Sequence, residues 1–263
     1  MDEMSLLSAS HVTKKFRLDR KNDIYAVNDV SLDIIKGETL ALVGESGCGK
    51  STLARLLMRM IKADSGSVSF EGRDISGLSE KALLPYRKEM QMVFQDPASS
   101  LDPRMKIGDI IAEPLKSRKI YNNRSAVKER VLELLDMVEL KEDCINRYPH
   151  QFSGGQKQRI GIARAIAADP KLLVCDESVS ALDVCVQAQV LNLLKKLKSQ
   201  LGLTCLFISH DLSVVNFIAD RVCVMQSGQI REVSDVEQIY RDPKDDYTKY
   251  LLASIPGLPL TGG

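Results

Sequence analysis

Gly44-Glu45-Ser46-Gly47-Cys48-Gly49-Lys50-Ser51-Thr52 gathers three glycines, a lysine and a serine–threonine pair into nine consecutive residues that read G-x-x-x-x-G-K-S. Glycines let backbone N–H groups turn inward as a nest around phosphate oxygens. Lys50 supplies a point charge to the terminal phosphates, and the Ser51 hydroxyl is a ligand for Mg²⁺. The flanks give the loop its context. The apolar run Thr39-Leu40-Ala41-Leu42-Val43 precedes it, and a helix-like run, Leu53 to Met60, follows. Strand, glycine loop and helix together define a phosphate-binding P-loop, with the positive end of the helix facing the same anion. The stretch implies a bound nucleotide.

Other residues fit chemistry on that nucleotide. Leu172-Leu173-Val174-Cys175-Asp176-Glu177 reads as a buried strand ending in two carboxylates. Beside a P-loop, Asp176 suits positioning Mg²⁺ and Glu177 suits polarising an attacking water; alone, such a pair is usually solvated surface. Gln95 follows the strand-like Met90–Phe94, where an amide reaches a metal or its water, a weak signal by itself. Ser153-Gly154-Gly155-Gln156 opens a helical run, with Ser153 where an N-cap belongs and two glycines exposing N–H groups. That is a second anion site; a generic helix cap is the alternative, and would not need Gly-Gly followed by Gln. His210 follows the apolar Leu203–Ser209, at the strand edge where open α/β sheets bind ligands. His11 and His150 read as surface or packing residues. Phe16 or Tyr25 is placed to stack on an adenine ring, against the alternative that each packs on the sheet.

Positioning these residues requires a substantial fold, and 263 residues suffice for one large α/β domain or one with an inserted subdomain. Residues 6–36 alternate polar and apolar, as two antiparallel strands joined by a basic loop from Arg17 to Asp23. Residues 64–76 read as turn, strand and turn. After the strand at 90–94, Pro97 stops regular structure, and Asp102-Pro103 and Glu113-Pro114 break the chain. Helical spacing of Val127, Val131, Leu134-Leu135 and Val138 then marks an inserted helical subdomain. A helix from Ile160 to Ala168 and another from Val186 to Gln200, stopped at Gly202, flank the carboxylate strand.

Lys plus Arg number 36 against 35 Asp plus Glu, a net charge of +1 that gives no electrostatic case for nucleic acid or an anionic membrane. No apolar run approaches the ~18 residues needed to span a bilayer. The acidic Met1-Asp2-Glu3 is unlike a secretory leader, so a cytosolic chain is expected. The six cysteines form no C-x-x-C pair and read as small buried hydrophobes.

Taken in order, the P-loop, Gln95, Phe152-Ser153-Gly154-Gly155-Gln156, Asp176-Glu177, Ser180–Asp183 and His210 resemble the pattern of an ATP-binding cassette (ABC) ATPase subunit over roughly residues 6–235. The resemblance implies a P-loop NTPase core (RecA-like) with an antiparallel β subdomain and a helical subdomain inserted at about 98–160. The nucleotide-binding domain would run over 1–240. The resemblance also implies the roles. Gly44, Glu45, Ser46, Gly47, Cys48, Gly49, Lys50, Ser51 and Thr52 hold ATP; Ser51, Gln95 and Asp176 serve Mg²⁺. Glu177 is the general base, His210 contacts the γ-phosphate, and Phe16 resembles the adenine-stacking aromatic. Ser153 and Gly155 would bind the γ-phosphate of ATP held by a partner subunit, and Gly154, Gln156 and Asp183 are nucleotide-binding as well.

A narrower resemblance, to dipeptide, oligopeptide and nickel importer ATPases, rests on 92–105, on Val186-Gln187-Ala188-Gln189, and on a C-terminal extension over 241–263. That extension contains Asp242-Pro243, Tyr247-Thr248-Lys249-Tyr250-Leu251-Leu252 and Ile255-Pro256. The group implies a paralogous ATPase partner, with a homodimer as the alternative, beneath two transmembrane permease subunits on the cytoplasmic face of the membrane. A solute-binding protein delivers peptide or, as the alternative, nickel or a metal chelate. Ser178, Cys185 and Phe152 depart from the family's usual proline, serine and leucine. No cysteine follows Cys223, so the iron–sulfur cluster of some members is not expected. A non-transport ABC protein would bring tandem cassettes or basic surfaces, and a P-loop kinase leaves Ser153–Gln156 unexplained.

Overall fold

The computed structural model describes residues 4–17, 23–96, 100–117, 121 and 123–254. Met1–Glu3, the loop interior at 18–22, the break at Pro97, the first residues of the proposed insertion at 98–99, and Ile255-Pro256 lie outside the described residues. The chain divides into two compact units, 1–84 with 204–263, and 85–203.

The first unit contains two sheets. Strands β1 (Ser5–Arg17) and β2 (Asp23–Ile35) pair antiparallel, and β4 (Ser65–Phe70) with β5 (Arg73–Asp74) extends them in the order β2-β1-β4-β5. The alternation read from the sequence is the cause over most of the pair: Leu7, Ala9 and Val12 on β1 and Val30, Leu32 and Ile34 on β2 are buried, with Leu6 buried as well and the β1 alternation shifted between Ala9 and Val12 where the register changes. In the second sheet β3 (Thr39–Val43) lies parallel between β8 (Thr204–Ser209) and β9 (Arg221–Gln226), with β10 (Gln229–Asp235) antiparallel on β9. Every residue of β3 and β8 is buried, which is why both read as continuous apolar runs rather than alternating ones. Helix α1 (Lys50–Leu57) leaves β3 through the glycine loop. Helices α7 (Leu212–Ile218), α8 (Val236–Arg241) and α9 (Asp246–Ala253) supply Leu212, Val215, Ile239 and Leu252 to a core with Ala41, Val43, Val222 and Val224.

The second unit pairs β6 (Met90–Val93) parallel with β7 (Leu172–Asp176). Around them are α3 (Ile107–Ser117), α4 (Arg124–Met137), α5 (Gly154–Ile166) and α6 (Val184–Leu201), the last closed by Gly202 in the left-handed conformation. Pro114 does not break the chain as its sequence context suggests: it sits inside α3. A proline there removes one backbone bond, at about 3 kcal/mol. The buried face of Ile107, Ile110, Ile111, Ala112 and Leu115 offsets that loss. The helix α2 (Glu80–Glu89), across which the unit boundary falls, has no counterpart in the sequence reading. It carries Pro85 and buries only Leu83, so its apolar periodicity is nearly absent.

Candidate active site

In the first unit the loop 44–49 connects a fully buried strand to α1. Gly49 is the N-cap of α1 at φ +111°, and a Cβ there would strike the carbonyl of Ala26, so no other residue fits. Lys50 is 4% exposed, and its Nζ donates to the carbonyls of Gly44 (2.7 Å) and Glu45 (2.8 Å). Both acceptors are neutral, so they orient the ammonium without cancelling its charge, which suits an anion at the same loop. Cys48 lies beside it, Sγ 3.9 Å from Nζ; burial pushes the thiol pKa up, and the Lys50 charge opposes that only in part. Glu45, Ser46 and Gly47 are exposed at the loop's crown, and Ser51 and Thr52 are half-buried in the first turn of α1.

His210 is exposed directly after β8, while the next residue, Asp211, caps α7 by accepting from Ser213 N (2.8 Å). Phe16 and Tyr25 are 45% and 44% exposed, so neither ring is buried in the core. Each carries a lysine over its ring: Lys14 Nζ is 5.7 Å from the Phe16 centroid and Lys15 Nζ 4.6 Å from that of Tyr25. His11, hydrogen-bonded to Asp29 at 2.8 Å, and His150, stacked on Tyr148, are surface residues as read.

In the second unit β7 is buried along its whole length and delivers Asp176, 5% exposed, at its end. Glu177 follows with φ +45°, a left-handed backbone that costs a residue with a Cβ about 1–2 kcal/mol. Such strain concentrates where a side chain must be aimed. Gln95 Nε2 donates to Glu177 Oε2 at 2.7 Å, leaving the amide oxygen of Gln95 as an acceptor. Gln95, Asp176 and Glu177 thus fall together at the ends of two paired strands.

Ser178, beyond the carboxylate pair, is 2% exposed, and its Oγ has no hydrogen-bond partner among the described residues. Asp183 acts locally as the N-cap of α6, where its Oδ1 accepts from Val186 N (3.0 Å).

Ser153 caps α5 as its position suggests, and the cap itself makes use of the glutamine. Gln156 N donates to Ser153 Oγ (3.4 Å) and Ser153 N donates to Gln156 Oε1 (3.1 Å), a reciprocal capping box. Gly155 also has a packing reason, since a Cβ there would run into the side chain of Val186 on α6. Gly154 is left without one: a Cβ would meet only Leu182 at an ordinary 3.5 Å. Beside this helix start is a cavity of about 710 Å³ lined by Ser153, Gly155, Gln156, Arg159, Gln189 and Lys196 among others. Arg159 Nη1 donates to Glu139 Oε2 (2.7 Å) and holds that carboxyl below the usual range. Glu139, Arg159 and Lys196 come from three separate stretches of the chain and share no spacing that would mark them in the sequence.

Five of the six cysteines are buried, as read; Cys185, in the first turn of α6, is exposed because it faces away from that helix's buried side. A further contact is also absent from the sequence reading: Tyr247 of α9 accepts, at its Oη, a hydrogen bond from the N–H of Glu45 in the P-loop (3.2 Å).

Comparison with known proteins gives this arrangement its family. Residues 27–180 match the ABC transporter family model. The oligopeptide transport ATP-binding protein OppF of Bacillus subtilis is 51% identical over 95% of this chain and 82% of its own length. The dipeptide transport ATP-binding protein DppF of Lactococcus lactis is 50% identical over 92% of this chain and 78% of its own length. Among solved structures, the ATP-binding cassette MJ0796, a dimer in a post-hydrolysis state bound to ADP and Pi, superposes with a TM-score of 0.79. It is 31% identical, over 88% of this chain and 98% of that one. The fold is accordingly that of a P-loop NTPase core with an antiparallel β subdomain, and the chain belongs to the ABC transporter family, as an ATPase of the peptide-importer group.

Proposed function

We propose that this chain hydrolyses ATP to drive uptake of di- and oligopeptides across the cytoplasmic membrane, with Glu177 as the general base. The observation that carries the chemistry is the Gln95–Glu177 contact of 2.7 Å at the end of a buried strand whose next residue is backbone-strained. A carboxylate held this way is pre-aimed, so little reorganisation is needed when a water approaches.

The roles follow within each unit. In the first, Lys50 and the N–H groups of residues 44–52 neutralise and orient the phosphates, His210 contacts the γ-phosphate, and Phe16 stacks on adenine. In the second, Glu177 takes the proton of the attacking water as its oxygen bonds to the γ-phosphorus. The bond from that phosphorus to the bridging oxygen breaks, leaving ADP and phosphate. Ser51, Gln95 and Asp176 offer a hydroxyl, an amide and a carboxylate, an all-oxygen donor set that suits Mg²⁺. When bound, Mg²⁺ would supply neutralisation of phosphate charge.

The assembly is a pair of ATPase subunits, this chain with a paralogue, beneath two permease subunits that hold it at the cytoplasmic face. Ser153, Gly154, Gly155 and Gln156, with Asp183, meet the nucleotide of the partner, which gives Gly154 a reason that packing does not. Among the described residues no helix is long and apolar enough to cross a membrane, so in this reading the permeases span it. Residues 1–240 then form the nucleotide-binding domain, with the helical insertion at about 98–160, and 241–263 a C-terminal extension.

Uptake of a labelled dipeptide, a labelled pentapeptide and nickel ions in cells lacking this chain tests the substrate. Loss of peptide uptake, restored by the wild-type chain but not by a Lys50→Ala variant, is expected. Intact peptide uptake with loss of nickel uptake would contradict the peptide assignment.

A further inference from the structure

Resting on the reading above that the P-loop binds ATP, we infer that the C-terminal helix belongs to the nucleotide site: the Tyr247 hydroxyl positions the phosphate loop by fixing the Glu45 peptide. The contact joins residues far apart in sequence, and the whole path of support can be followed. Glu232 on β10 accepts from the N–H groups of Lys244 (2.9 Å) and Asp245 (3.0 Å), anchoring the start of α9 to the sheet. Asp245 then caps the helix, its Oδ1 accepting from Tyr247 N (2.9 Å) and Thr248 N (3.4 Å). Leu252 is buried with Ala41 and Val43 of β3, the strand that leads into the loop, and Leu251 and Tyr247 pack on the same cluster. The Tyr247 ring also stacks on Tyr250, with centroids 6.4 Å apart. The backbone of Tyr247 is thus anchored at the helix start and its ring is supported on one side before its Oη meets the Glu45 N–H at 3.2 Å.

The contact matters because of what Lys50 does. Its ammonium is held by two carbonyls: that of Gly44, in the same peptide group as the N–H that Tyr247 accepts from, and that of Glu45, in the next peptide group. Fixing the Gly44–Glu45 peptide plane orients the Gly44 carbonyl, since carbonyl and N–H belong to one rigid plane. Tyr247 thus acts through the loop on the lysine that meets the phosphates, as a positioning residue. Burial raises the phenol pKa, so the group stays a neutral O–H whose oxygen accepts. The core and the sheet would hold α9 in place without this hydroxyl, so its placement at the loop is an additional feature of the extension.

The experiment compares wild type with Tyr247→Phe, which keeps the ring, its packing and its stack and removes only the oxygen. MgATP and inorganic pyrophosphate binding are titrated on the full chain, and KM and kcat for MgATP are measured in the assembled transporter. Loss of one such hydrogen bond corresponds to about a fivefold effect. The expected result is a fivefold weaker Kd for both MgATP and pyrophosphate, a matching rise in KM, kcat within twofold, and an unchanged Tm. Tyr247→Leu, which also removes the ring, should lower Tm as well. Unchanged affinities in Tyr247→Phe, or a lowered Tm with unchanged affinities, would overturn the inference and leave Tyr247 a packing residue. Failure of the wild-type chain to bind MgATP would instead overturn the reading on which it rests.

Discussion

Glu177 and Ser178 are adjacent, and each departs from what a comfortable side chain would do. The first adopts φ +45° and is tied to Gln95; the second buries a hydroxyl that no described group satisfies. A buried unsatisfied polar group costs about 1–3 kcal/mol. Ser178→Ala should recover part of that and raise Tm by about 2–4 °C, read by calorimetry; a lowered Tm would mean that the hydroxyl has a partner. At this scale the sequence is informative where chemistry dictates spacing. Lys50, Ser51, Asp176 and Glu177 were legible because a phosphate loop and a carboxylate strand end need fixed neighbours. The Tyr247–Glu45 contact was not, because nothing local links two residues from opposite ends of the chain. Nor was the exposure of Phe16 and Tyr25, since aromatic character alone does not distinguish a packed ring from an open one.

The helix α5 shows how one element serves two purposes. Its capping box satisfies its first turn, and Gly155 lets it approach Val186 on α6 closely. Gly155→Ala should destabilise by about 1–3 kcal/mol through overpacking. Gly161→Ala, six residues along the same helix with nothing within 4 Å of the added carbon, should stabilise. The gain expected from helix propensity is about 1 kcal/mol. Urea unfolding of the two variants decides the matter, and equal effects would contradict the close α5–α6 approach. Strands were the most legible elements: alternation marked β1 and β2, and apolar runs marked β3, β7 and β8. Helices carrying proline were the least, since local preference argues against α2 and α3 while tertiary burial of the α3 face overrides it.

For the molecule as a whole, the balanced charge of 36 basic against 35 acidic residues leaves no general electrostatic attraction for polyanions, and binding must come from built sites. In the proposed reading the glycine loop is one, and the Ser153 helix start beside its cavity is the other. Two such sites suit a machine in which ATP favours the closed pair and hydrolysis releases it, because a ligand shifts an equilibrium only through differential affinity. The family was legible in the order of the motifs; the transported solute was not, because no residue of an ATPase subunit touches it in this reading. The proposed reaction depends on Glu177 once ATP is in place. The direct measurement is ATP hydrolysis by the assembled transporter carrying Glu177→Gln, with the partner subunit's own site silenced and MgATP binding followed in parallel. Turnover about 10²–10⁴-fold below that of the wild-type chain in the same background, with MgATP still bound, is the predicted result; hydrolysis near the wild-type rate would contradict it.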